Sequence, residues 1–548
     1  MKYWQIKKIA FFFVFAAGAL PVFTQSPGGI SQVWVADQGD GTYKNPILYA
    51  DYSDPDAIRV GEDYYLTASS FNCMPGLPIL HSRDLVNWEI IGHALQKQIP
   101  EAFFEVPQHG NGVWAPCLRY HDGEFYIYWG DPDHGVYMVK TRDPAGDWEL
   151  PVLVKEGKGI IDTSPLWDDD GQVYLVHGWA GSRAGVNSLI TVNRMNADGT
   201  RVLDEGKHVF DGHDGHKTIE GPKFYKRNGY YYIFAPAGGV PTGWQLILRS
   251  RDIYGPYEEK IVLEQGSTPV NGPHQGGWVE TPGGESWFLH FQDVEAYGRI
   301  LHLQPVHWVG DWPMMGNDKD GNGVGEPVLR HKKPDVGATY PIQTPAESDE
   351  FNTDELGLQW QWHANPRVVW SALLRGKDYL RLFAVNQPAG AANLWPVPNL
   401  LLQKFPAPDF TATTKVTWQV EFEAWQEKKA GLIITGNDYA YLAISQDDKG
   451  YKISQARCKN AEKGTAEEVV AEKRIGTDTA YLRVNVSGPD AKCRFSYSED
   501  GQRFTPIGEE FTALPDKWIG AKVGLFATSA SNARRGSYAD FDWFRVTK

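Results

Sequence analysis

Five segments of the chain repeat one plan, and this repeat constrains the fold more than any other feature of the sequence. Each segment has a polar start, a small residue or proline, an apolar strand, a tight turn and an aromatic strand. The segments read DPDAIRVGEDYYLTAS, WAPCLRYHDGEFYIYWG, DTSPLWDDDGQVYLVHG, EGPKFYKRNGYYYIFAPAG and HQGGWVETPGGESWFLHF. Their starts lie roughly 50–60 residues apart, the length of one four-stranded blade of a β-propeller. The repeat therefore predicts an all-β fold with a five-bladed propeller over residues 40–335.

The starts of the five repeats are expected to meet in space although they are far apart in sequence. In a propeller the first strand of each blade lines the central axis, so the starting residues converge at one end of that axis. These residues are Asp54, Trp114, Asp162, Glu220 and His274. Three acids, a tryptophan and a histidine in one pocket are unfavourable unless chemistry or a ligand uses them. We therefore expect a functional site at this end of the axis.

A second unit follows the repeats. The composition changes at a polar segment that contains proline, His331–Phe351 (HKKPDVGATYPIQTPAESDEF). Beyond it, segments such as KAGLIITGNDYAYLAIS and GSYADFDWFRV keep the strand pattern but not the blade repeat. This pattern predicts a β-sandwich over residues 347–548, in which the last strand closes the domain on its first.

The N-terminus has the pattern of an export signal. A basic start, MKYWQIKK, precedes an apolar stretch over Ile9–Phe23 that is short for a membrane span. We predict a signal peptide over residues 1–24, a secreted or periplasmic protein and no stable membrane insertion after the signal is removed. An N-terminus held permanently in a membrane is the alternative.

Charge and composition narrow the classes of partner. The chain has 53 basic and 68 acidic residues, a formal charge of −15 and no basic run, which excludes nucleic acid as an expected partner. Its 21 tryptophans suit stacking on sugar rings, although dense β packing explains them equally well. The four cysteines show no metal-binding spacing and are expected to be buried, with a disulfide within Cys73/Cys117 or Cys458/Cys493 left open.

At the blade boundaries the chain resembles glycoside hydrolase family 43. The motifs that carry the resemblance are, in order, SDPDAIRVGEDYYLTASSF, HSRDLVNW, GVWAP, IDTSPLWDDDG, EGPKFY, HQGGWVETP and GRILHLQPVHWVGDWP. One local departure is IDTSP where many members have IDPS, and it leaves the acid in place. The C-terminal half is similar to the concanavalin-like sandwich of many β-xylosidase and α-L-arabinofuranosidase members.

The resemblance implies an inverting mechanism with three acids. Asp54 would be the general base that activates water, and Glu220 the general acid that protonates the leaving oxygen. Asp162 would orient Glu220 and raise its pKa. Glycoside hydrolysis needs one carboxyl group protonated and another ionised at the same pH, which a cluster of this kind provides. Ser164 and Asp168 stay open as alternatives to Asp162 in their segment.

The resemblance also assigns the surroundings of the acids. Arg299 would contact the sugar, while Phe71 and Trp114 would form pocket walls, each with core packing as the alternative. His274 would lie near the pocket floor, where some members hold a water or Ca²⁺. Ligation by His274 and plain hydrogen bonding stay open. The chemistry requires no cofactor, and Ca²⁺ at the propeller axis is the one metal considered.

Together these features predict an inverting, exo-acting glycoside hydrolase. It would release terminal α-L-arabinofuranose or β-D-xylose from plant hemicellulose or its oligosaccharides. The two sugars present similar hydroxyl geometry to a small pocket, so the sequence separates them poorly, and arabinofuranose is preferred by a narrow margin. The segments HQGGWVETP and HFQDVEAYGRILHLQPV resemble arabinofuranosidase and xylosidase members more than endo-arabinanases. The alternatives are an endo-arabinanase, which needs an open groove, and a non-catalytic carbohydrate-binding propeller, which replacement of the base or acid would favour.

Overall fold

A computed structural model of the chain describes residues 29–420, 428–530 and 536–548, and the predicted signal peptide (1–24) lies outside this part. The described residues form an all-β structure, as the sequence predicts. Their helical content is one short α-helix, α1 (Gly181–Ala184), and four 3₁₀ turns over Phe103–Glu105, Glu295–Tyr297, Val368–Trp370 and Ala461–Lys463. No helix in this part of the chain is long and apolar enough to span a membrane.

Five four-stranded antiparallel sheets follow one another along the chain and form the predicted propeller. The strands in chain order are β1 (Thr42–Lys44); blade 1 with β2 (Asp56–Val60), β3 (Asp63–Thr67), β4 (Gly76–Ser82) and β5 (Trp88–Leu95); blade 2 with β6 (Trp114–His121), β7 (Glu124–Asp131), β8 (Gly135–Thr141) and β9 (Val152–Glu156); blade 3 with β10 (Ile160–Trp167), β11 (Val173–Trp179), β12 (Leu189–Met195) and β13 (Lys207–Asp211); blade 4 with β14 (Lys223–Arg227), β15 (Tyr230–Ala237), β16 (Trp244–Ser250) and β17 (Glu258–Leu263); blade 5 with β18 (His274–Glu280), β19 (Ser286–Asp293), β20 (Arg299–Val309) and β21 (Trp312–Met315); and β22 (Arg330–Lys332). Strand β1 pairs with β22, which joins the two ends of the propeller segment.

The core of the propeller is divided into layers between neighbouring blades. Central strands such as β4 and β7 are buried at nearly every position because a neighbouring blade covers each face of the sheet. Four apolar layers join successive blades. A fifth joins blade 5 to blade 1 through residues that include Leu66, Trp287 and Leu303. Side-chain packing of the last blade on the first therefore closes the ring.

The entrance to the innermost strand of every blade contains a residue in the left-handed backbone region. These residues are Asp54, Ala115, Asp162, Gly221 and Gln275, with φ angles of 52°, 35°, 57°, 59° and 35°. In blades 2, 3 and 5 the pairing with the second strand shifts register at this point. The five blades therefore share this backbone conformation as well as the sequence pattern. Trp114, Glu220 and His274 each precede the left-handed residue of their blade by one position.

The second unit is a sandwich of two sheets, as the sequence predicts. Its strands are β23 (Gln361–Trp362), β24 (Ser371–Leu373), β25 (Leu380–Phe383), β26 (Val385–Asn386), β27 (Leu401–Lys404), β28 (Phe410–Val420), β29 (Lys428–Thr435), β30 (Tyr439–Asp447), β31 (Gly450–Cys458), β32 (Glu468–Arg474), β33 (Thr479–Ser487), β34 (Lys492–Ser498), β35 (Thr505–Pro506), β36 (Phe511–Thr512), β37 (Lys522–Ser529) and β38 (Ser537–Thr547). One sheet has the order β23-β27-β37-β29-β30-β31-β32, and β26 pairs with β37. The other has the order β24-β25-β38-β28-β33-β34-β35, and β36 pairs with β34.

The pairing predicted for the last strand of the sandwich differs from the observed one. Strand β38 lies between β25 and β28, whereas β23 belongs to the other sheet. The start of the unit meets β38 through a bridge between Asp349 and Phe544. Strand alternation shows which segments form strands but not which strands become neighbours.

The sandwich packs against the end of the propeller that holds the strand entrances. The backbone N–H of Met74 donates to the carbonyl of Trp362 at 3.0 Å, and the N–H of Gly520 donates to a carboxylate oxygen of Asp51 at 2.9 Å. A Cβ on Gly520 would lie 2.8 Å from the backbone nitrogen of Gly298, so only glycine fits there. Backbone groups of the two domains are therefore in direct contact near the predicted site.

The four cysteines contribute to the core and not to cross-links. Cys73, Cys117, Cys458 and Cys493 are all buried and all free. The predicted burial is confirmed, and neither disulfide that the sequence left open is formed.

Candidate active site

Asp54 lies at the entrance to blade 1, where an arginine holds it. Its Oδ1 accepts a hydrogen bond of 2.8 Å from Nη1 of Arg299, the first residue of β20. Its Oδ2 accepts hydrogen bonds from the hydroxyls of Ser53 at 3.0 Å and Ser69 at 2.6 Å. All three groups donate, and donors suit the oxygens of a carboxylate, so they fix the orientation of the Asp54 side chain.

Glu220 lies at the entrance to blade 4 and is the more accessible acid. Its Oε1 is 3.0 Å from Nε2 of His274, which is itself fully buried. The side chain of Glu220 is 30% exposed, against 7% for Asp54. In the described part of the chain, no lysine or arginine forms an ion pair with Glu220. Glu220 thus reaches the solvent side of the site without a permanent positive charge beside it.

Asp162 is close to both acids and is enclosed. Its Oδ2 accepts the backbone N–H of Gly221 at 2.7 Å and the side-chain N–H of Gln275 at 3.4 Å. Burial, the charge of Glu220 and the charge of Asp54 raise the pKa of Asp162 to about 8. Like charges that crowd together resist losing the last proton, so the three-acid cluster holds a proton at neutral pH.

The two polar residues that the sequence left open beside Asp162 make other contacts. The hydroxyl of Ser164 accepts a hydrogen bond of 2.9 Å from Nη2 of Arg119. Asp168 forms an ion pair with Lys226. Asp162 is therefore the residue of its segment that contacts the entrance to blade 4, where Glu220 lies.

Two tryptophans from different domains meet beside the acids. Trp114, the first residue of β6, is partly buried, and its ring lies edge-on to that of Trp518 at 6.4 Å. Trp518 comes from the sandwich and is 47% exposed. The guanidinium of Arg299 lies 5.6 Å from the ring of Trp518. Because Arg299 also binds Asp54, the Trp518 ring stands on the side of the site where Asp54 lies.

Phe71 makes a different contribution. Its backbone N–H and carbonyl pair with those of Val113, which ties blade 1 to the segment before blade 2. Its side chain is 3% exposed. The ring is packed in the structure as it stands, and its role as a pocket wall stays a prediction.

His274 has one engaged and one unengaged ring nitrogen. Nε2 faces Glu220, whereas Nδ1 is buried without a hydrogen-bond partner among the described residues. Hydrogen bonding thus accounts for one nitrogen, and the other offers a contact to water or a cation. Ligation of an axial Ca²⁺ stays a prediction.

The two domains match two family models. Residues 43–313 match "Glycosyl hydrolases family 43", and residues 348–547 match "Beta xylosidase C-terminal Concanavalin A-like domain". A relative from Xylanibacter ruminicola with a provisional β-xylosidase name is 42% identical over 90% of this chain and 87% of its own length. The chain belongs to glycoside hydrolase family 43.

Other members of family 43 resemble the chain over nearly its full length. A β-xylosidase from Formosa agariphila is 33% identical over 93% of this chain and 90% of its own length. The crystal structure of the family 43 protein BlXynB from Bacillus licheniformis has a TM-score of 0.78 and 27% identity, and covers 92% of this chain and 99% of that one. These similarities identify the protein as a glycosidase with the domain arrangement of the family.

Sequence reasoning missed several residues of this family 43 site. Ser69 and Gln275 lie inside the recognised motifs, and their polar side chains were the available signal. Trp518 lies outside every repeat, in a loop of the sandwich, and a single tryptophan among 21 gave no signal. Only the packing of one domain on the other shows that it belongs to the site.

Proposed function

We propose that this family 43 protein is an inverting, exo-acting glycosidase that removes a terminal pentose from plant hemicellulose or its oligosaccharides. The observation that carries the proposal is the contrast between two acids of one cluster. Asp54 is paired with Arg299, whereas Glu220 has no cationic side chain beside it in the described residues. An inverting glycosidase requires such a pair, one carboxylate to act as base and one carboxylic acid to donate a proton.

In the proposed reaction, Asp54 accepts a proton from water while that water attacks the anomeric carbon. The Arg299 guanidinium and the hydroxyls of Ser53 and Ser69 hold the carboxylate in place for this step. At the same time, Glu220 gives its proton to the glycosidic oxygen as the bond from that oxygen to the anomeric carbon breaks. Asp54 then releases its proton to solvent, and Glu220 takes one up.

Asp162 is proposed to position Glu220 and to keep a proton in the cluster. Its Oδ2 accepts a hydrogen bond of 2.7 Å from the backbone N–H of Gly221, the residue after Glu220. Its pKa of about 8 means that the cluster does not lose its last proton at neutral pH. Both effects act through Glu220, so we describe Asp162 as a positioning residue.

The contact between the domains favours a pocket over an open groove. Trp518 of the sandwich stands against Trp114 of blade 2 and near Arg299 of blade 5. A groove that admits an internal bond of a polymer needs free space on both sides of the acids. A wall supplied by the second domain therefore supports an exo-acting enzyme, and the pairing of Asp54 and Glu220 supports catalysis over simple binding.

We propose β-D-xylose as the principal sugar. The relatives from Xylanibacter ruminicola and Formosa agariphila, at 42% and 33% identity, both have β-xylosidase names. These names favour xylose over arabinofuranose, which the sequence alone preferred by a narrow margin.

Terminal α-L-arabinofuranose is the second candidate. A relative from Bacteroides ovatus, 29% identical over 93% of this chain, is named a non-reducing end α-L-arabinofuranosidase. The same acid pair serves both substrates, so the walls of the pocket decide between them.

The proposal is tested with the purified protein on aryl β-D-xylosides, aryl α-L-arabinofuranosides, xylo-oligosaccharides and arabinan. We expect kcat/KM for the xyloside to exceed that for the arabinofuranoside by about tenfold or more, a difference that contacts to one hydroxyl supply. Chromatography of the first products should show free monosaccharide. Oligosaccharides released from arabinan before any monosaccharide would contradict exo action, and a preference for the arabinofuranoside would select the second candidate. An Asp54→Asn preparation controls for contaminating enzymes.

A further inference from the structure

A second cluster of chemically active side chains lies at the junction of the two domains, outside the proposed catalytic machinery. It consists of His109 from the loop before blade 2, His363 next to β23 and Asp516 from the loop before β37. One ligand atom from each residue lies within 4.8 Å of the other two. No ion pair with a lysine or arginine is found for Asp516 in the part of the chain that the structure describes.

The two histidines are oriented as metal ligands usually are. Nε2 of His109 lies 3.1 Å from the carbonyl oxygen of Trp395, and Nδ1 of His363 lies 3.3 Å from that of Val397. A histidine that binds a metal commonly donates its second N–H to a backbone carbonyl, which fixes its tautomer and the plane of its ring. This pattern leaves Nδ1 of His109 and Nε2 of His363 as the ligand atoms.

The cluster also contains the carboxylate of Asp516 and one ring nitrogen, on His363, that has no hydrogen-bond partner in the described part of the chain. Nδ1 of His109 is 2.9 Å from Oδ2 of Asp516. Nε2 of His363 has no hydrogen-bond partner among the described residues, although the residue is only 6% exposed. An imidazole nitrogen without a hydrogen-bond partner is available as a ligand atom.

We propose that His109, His363 and Asp516 form a binding site for a first-row divalent cation, with Zn²⁺ as the ion that suits it best. Two imidazole nitrogens and one carboxylate oxygen are ligands that Zn²⁺ prefers, and water completes the coordination. The ligand atoms already lie within 4.8 Å of one another. Small side-chain rotations are therefore enough to place all three at the usual distance of about 2.0–2.2 Å from a shared metal ion.

The ion would join three segments from two domains. Asp516 is two residues from Trp518 and is bridged to Ile519, so the site fixes the loop that brings Trp518 to the active site. His109 precedes Gly110, whose carbonyl accepts the indole N–H of Trp114. The site thus connects the supports of both tryptophans. This inference rests on the cluster alone and does not depend on the proposed function.

The test uses Co²⁺ as a spectroscopic probe and Zn²⁺ as competitor on the full chain after treatment with a chelator. We expect one Co²⁺ per chain, visible absorption typical of Co²⁺ with a low coordination number, and displacement by one equivalent of Zn²⁺. Zn²⁺ should also raise the Tm of the chain.

Matched variants assign the ion to this cluster. His109→Gln and Asp516→Asn should each abolish the Co²⁺ absorption, and Asp516→Asn keeps a hydrogen-bond acceptor for His109, so the fold is retained. His213→Gln tests an exposed histidine that pairs with Asp211 and should bind Co²⁺ as the parent protein does. Absence of stoichiometric Co²⁺ in the parent protein, or unchanged absorption in His109→Gln, would show that the cluster is an ion pair only.

Discussion

At the scale of single residues, Asp54 and Glu220 share a site but differ in their surroundings. Asp54 accepts hydrogen bonds from one guanidinium and two hydroxyls, whereas Glu220 contacts a histidine and is the more exposed of the two. The contacts hold both carboxyl oxygens of Asp54 in place and leave Glu220 accessible from the solvent side of the site. The division of roles between the two acids follows from this difference.

Replacement of either acid should abolish most of the activity without unfolding the protein. We expect Asp54→Asn and Glu220→Gln each to lower kcat on oligosaccharides by at least about 10²-fold, the lower end for acid–base groups. An aryl glycoside with a strongly acidic phenol as leaving group needs no proton, so Glu220→Gln should lose much less activity on it than Asp54→Asn does. Steady-state kinetics on the two kinds of substrate measure this. Equal losses on both would remove Glu220 from the role of acid.

Asp162 should reduce the stability of the folded protein at neutral and alkaline pH. Its pKa rises from 3.8 to about 8 on folding, so the folded state binds more protons than the unfolded state between those values. The free energy of unfolding therefore falls as the pH rises through this window. Asp162→Asn has no titrating group at this position, so this decrease in stability should be absent. We expect Asp162→Asn to raise the Tm by at least about 2 °C at pH 8 and not at pH 4.

Asp168 provides a control, because its replacement should change the Tm in the opposite direction. The pKa of Asp168 is lowered because hydrogen bonds from Lys226 and Tyr231 outweigh its burial. A lowered pKa contributes stability above the ordinary value of the group, so Asp168→Asn should decrease the Tm at neutral pH and have no effect at low pH. Melting curves from pH 4 to pH 8 for Asp162→Asn and from pH 2 to pH 8 for Asp168→Asn decide the point. A Tm difference for Asp162→Asn that does not change with pH would contradict the assignment.

At the scale of elements, the entrances to the innermost strands determine where the acids point. Each entrance contains a left-handed residue, and in blade 4 that residue is Gly221. A Cβ on Gly221 would lie 2.5 Å from Cγ of Gln275. Gly221 also donates the N–H that Asp162 accepts. The other blades have Asp54, Ala115, Asp162 and Gln275 in this conformation, so it is the lack of space for a Cβ that requires glycine in blade 4.

Gly221→Ala should displace Glu220 and lower the activity. The strained φ of 59° and the contact with Gln275 together push the strand entrance away from its position. We expect kcat to fall by about tenfold or more and the Tm to decrease. Gly61→Ala, at another left-handed glycine with open space around it, serves as control because only the backbone strain remains. Activity in Gly221→Ala equal to that in Gly61→Ala would mean that this entrance does not position the acid.

The sandwich loop that contains Trp518 should contribute to the binding of the sugar. We expect Trp518→Ala to raise KM about tenfold, a typical effect for loss of an aromatic wall, and to change the Tm little because the side chain is half exposed. Trp518→Phe keeps an aromatic face and should restore most of the affinity. If KM in Trp518→Ala equals that of the parent protein, the loop does not reach the bound substrate.

The blades could be predicted from the sequence more fully than the sandwich. Each blade repeats its pattern, so five weak signals support one another, and the residues that begin the repeats lead directly to the axis. In the sandwich, the position of β38 between β25 and β28 depends on contacts between segments far apart in the chain. Alternation along a strand carries no information about such neighbours.

At the scale of the whole molecule, the site is formed by contacts between the two domains as well as by the propeller. The acids could be predicted because they lie in recognised motifs at the axis. Trp518 could not, because its place depends on how the sandwich docks through groups such as Gly520 and Asp51. The mutual positions of rigid units are set by surface complementarity, which is distributed over residues without a common motif.

The central claim is that Asp54 activates water directly and that no covalent sugar–enzyme intermediate forms. Proton NMR of the sugar released from an aryl β-D-xyloside, recorded before the anomers equilibrate, tests it most directly. Inversion predicts α-xylose as the first product, because water attacks the face opposite the leaving group. If the arabinofuranoside is the better substrate, the first product should be the β-anomer of arabinose. First appearance of the anomer present in the substrate would contradict the account.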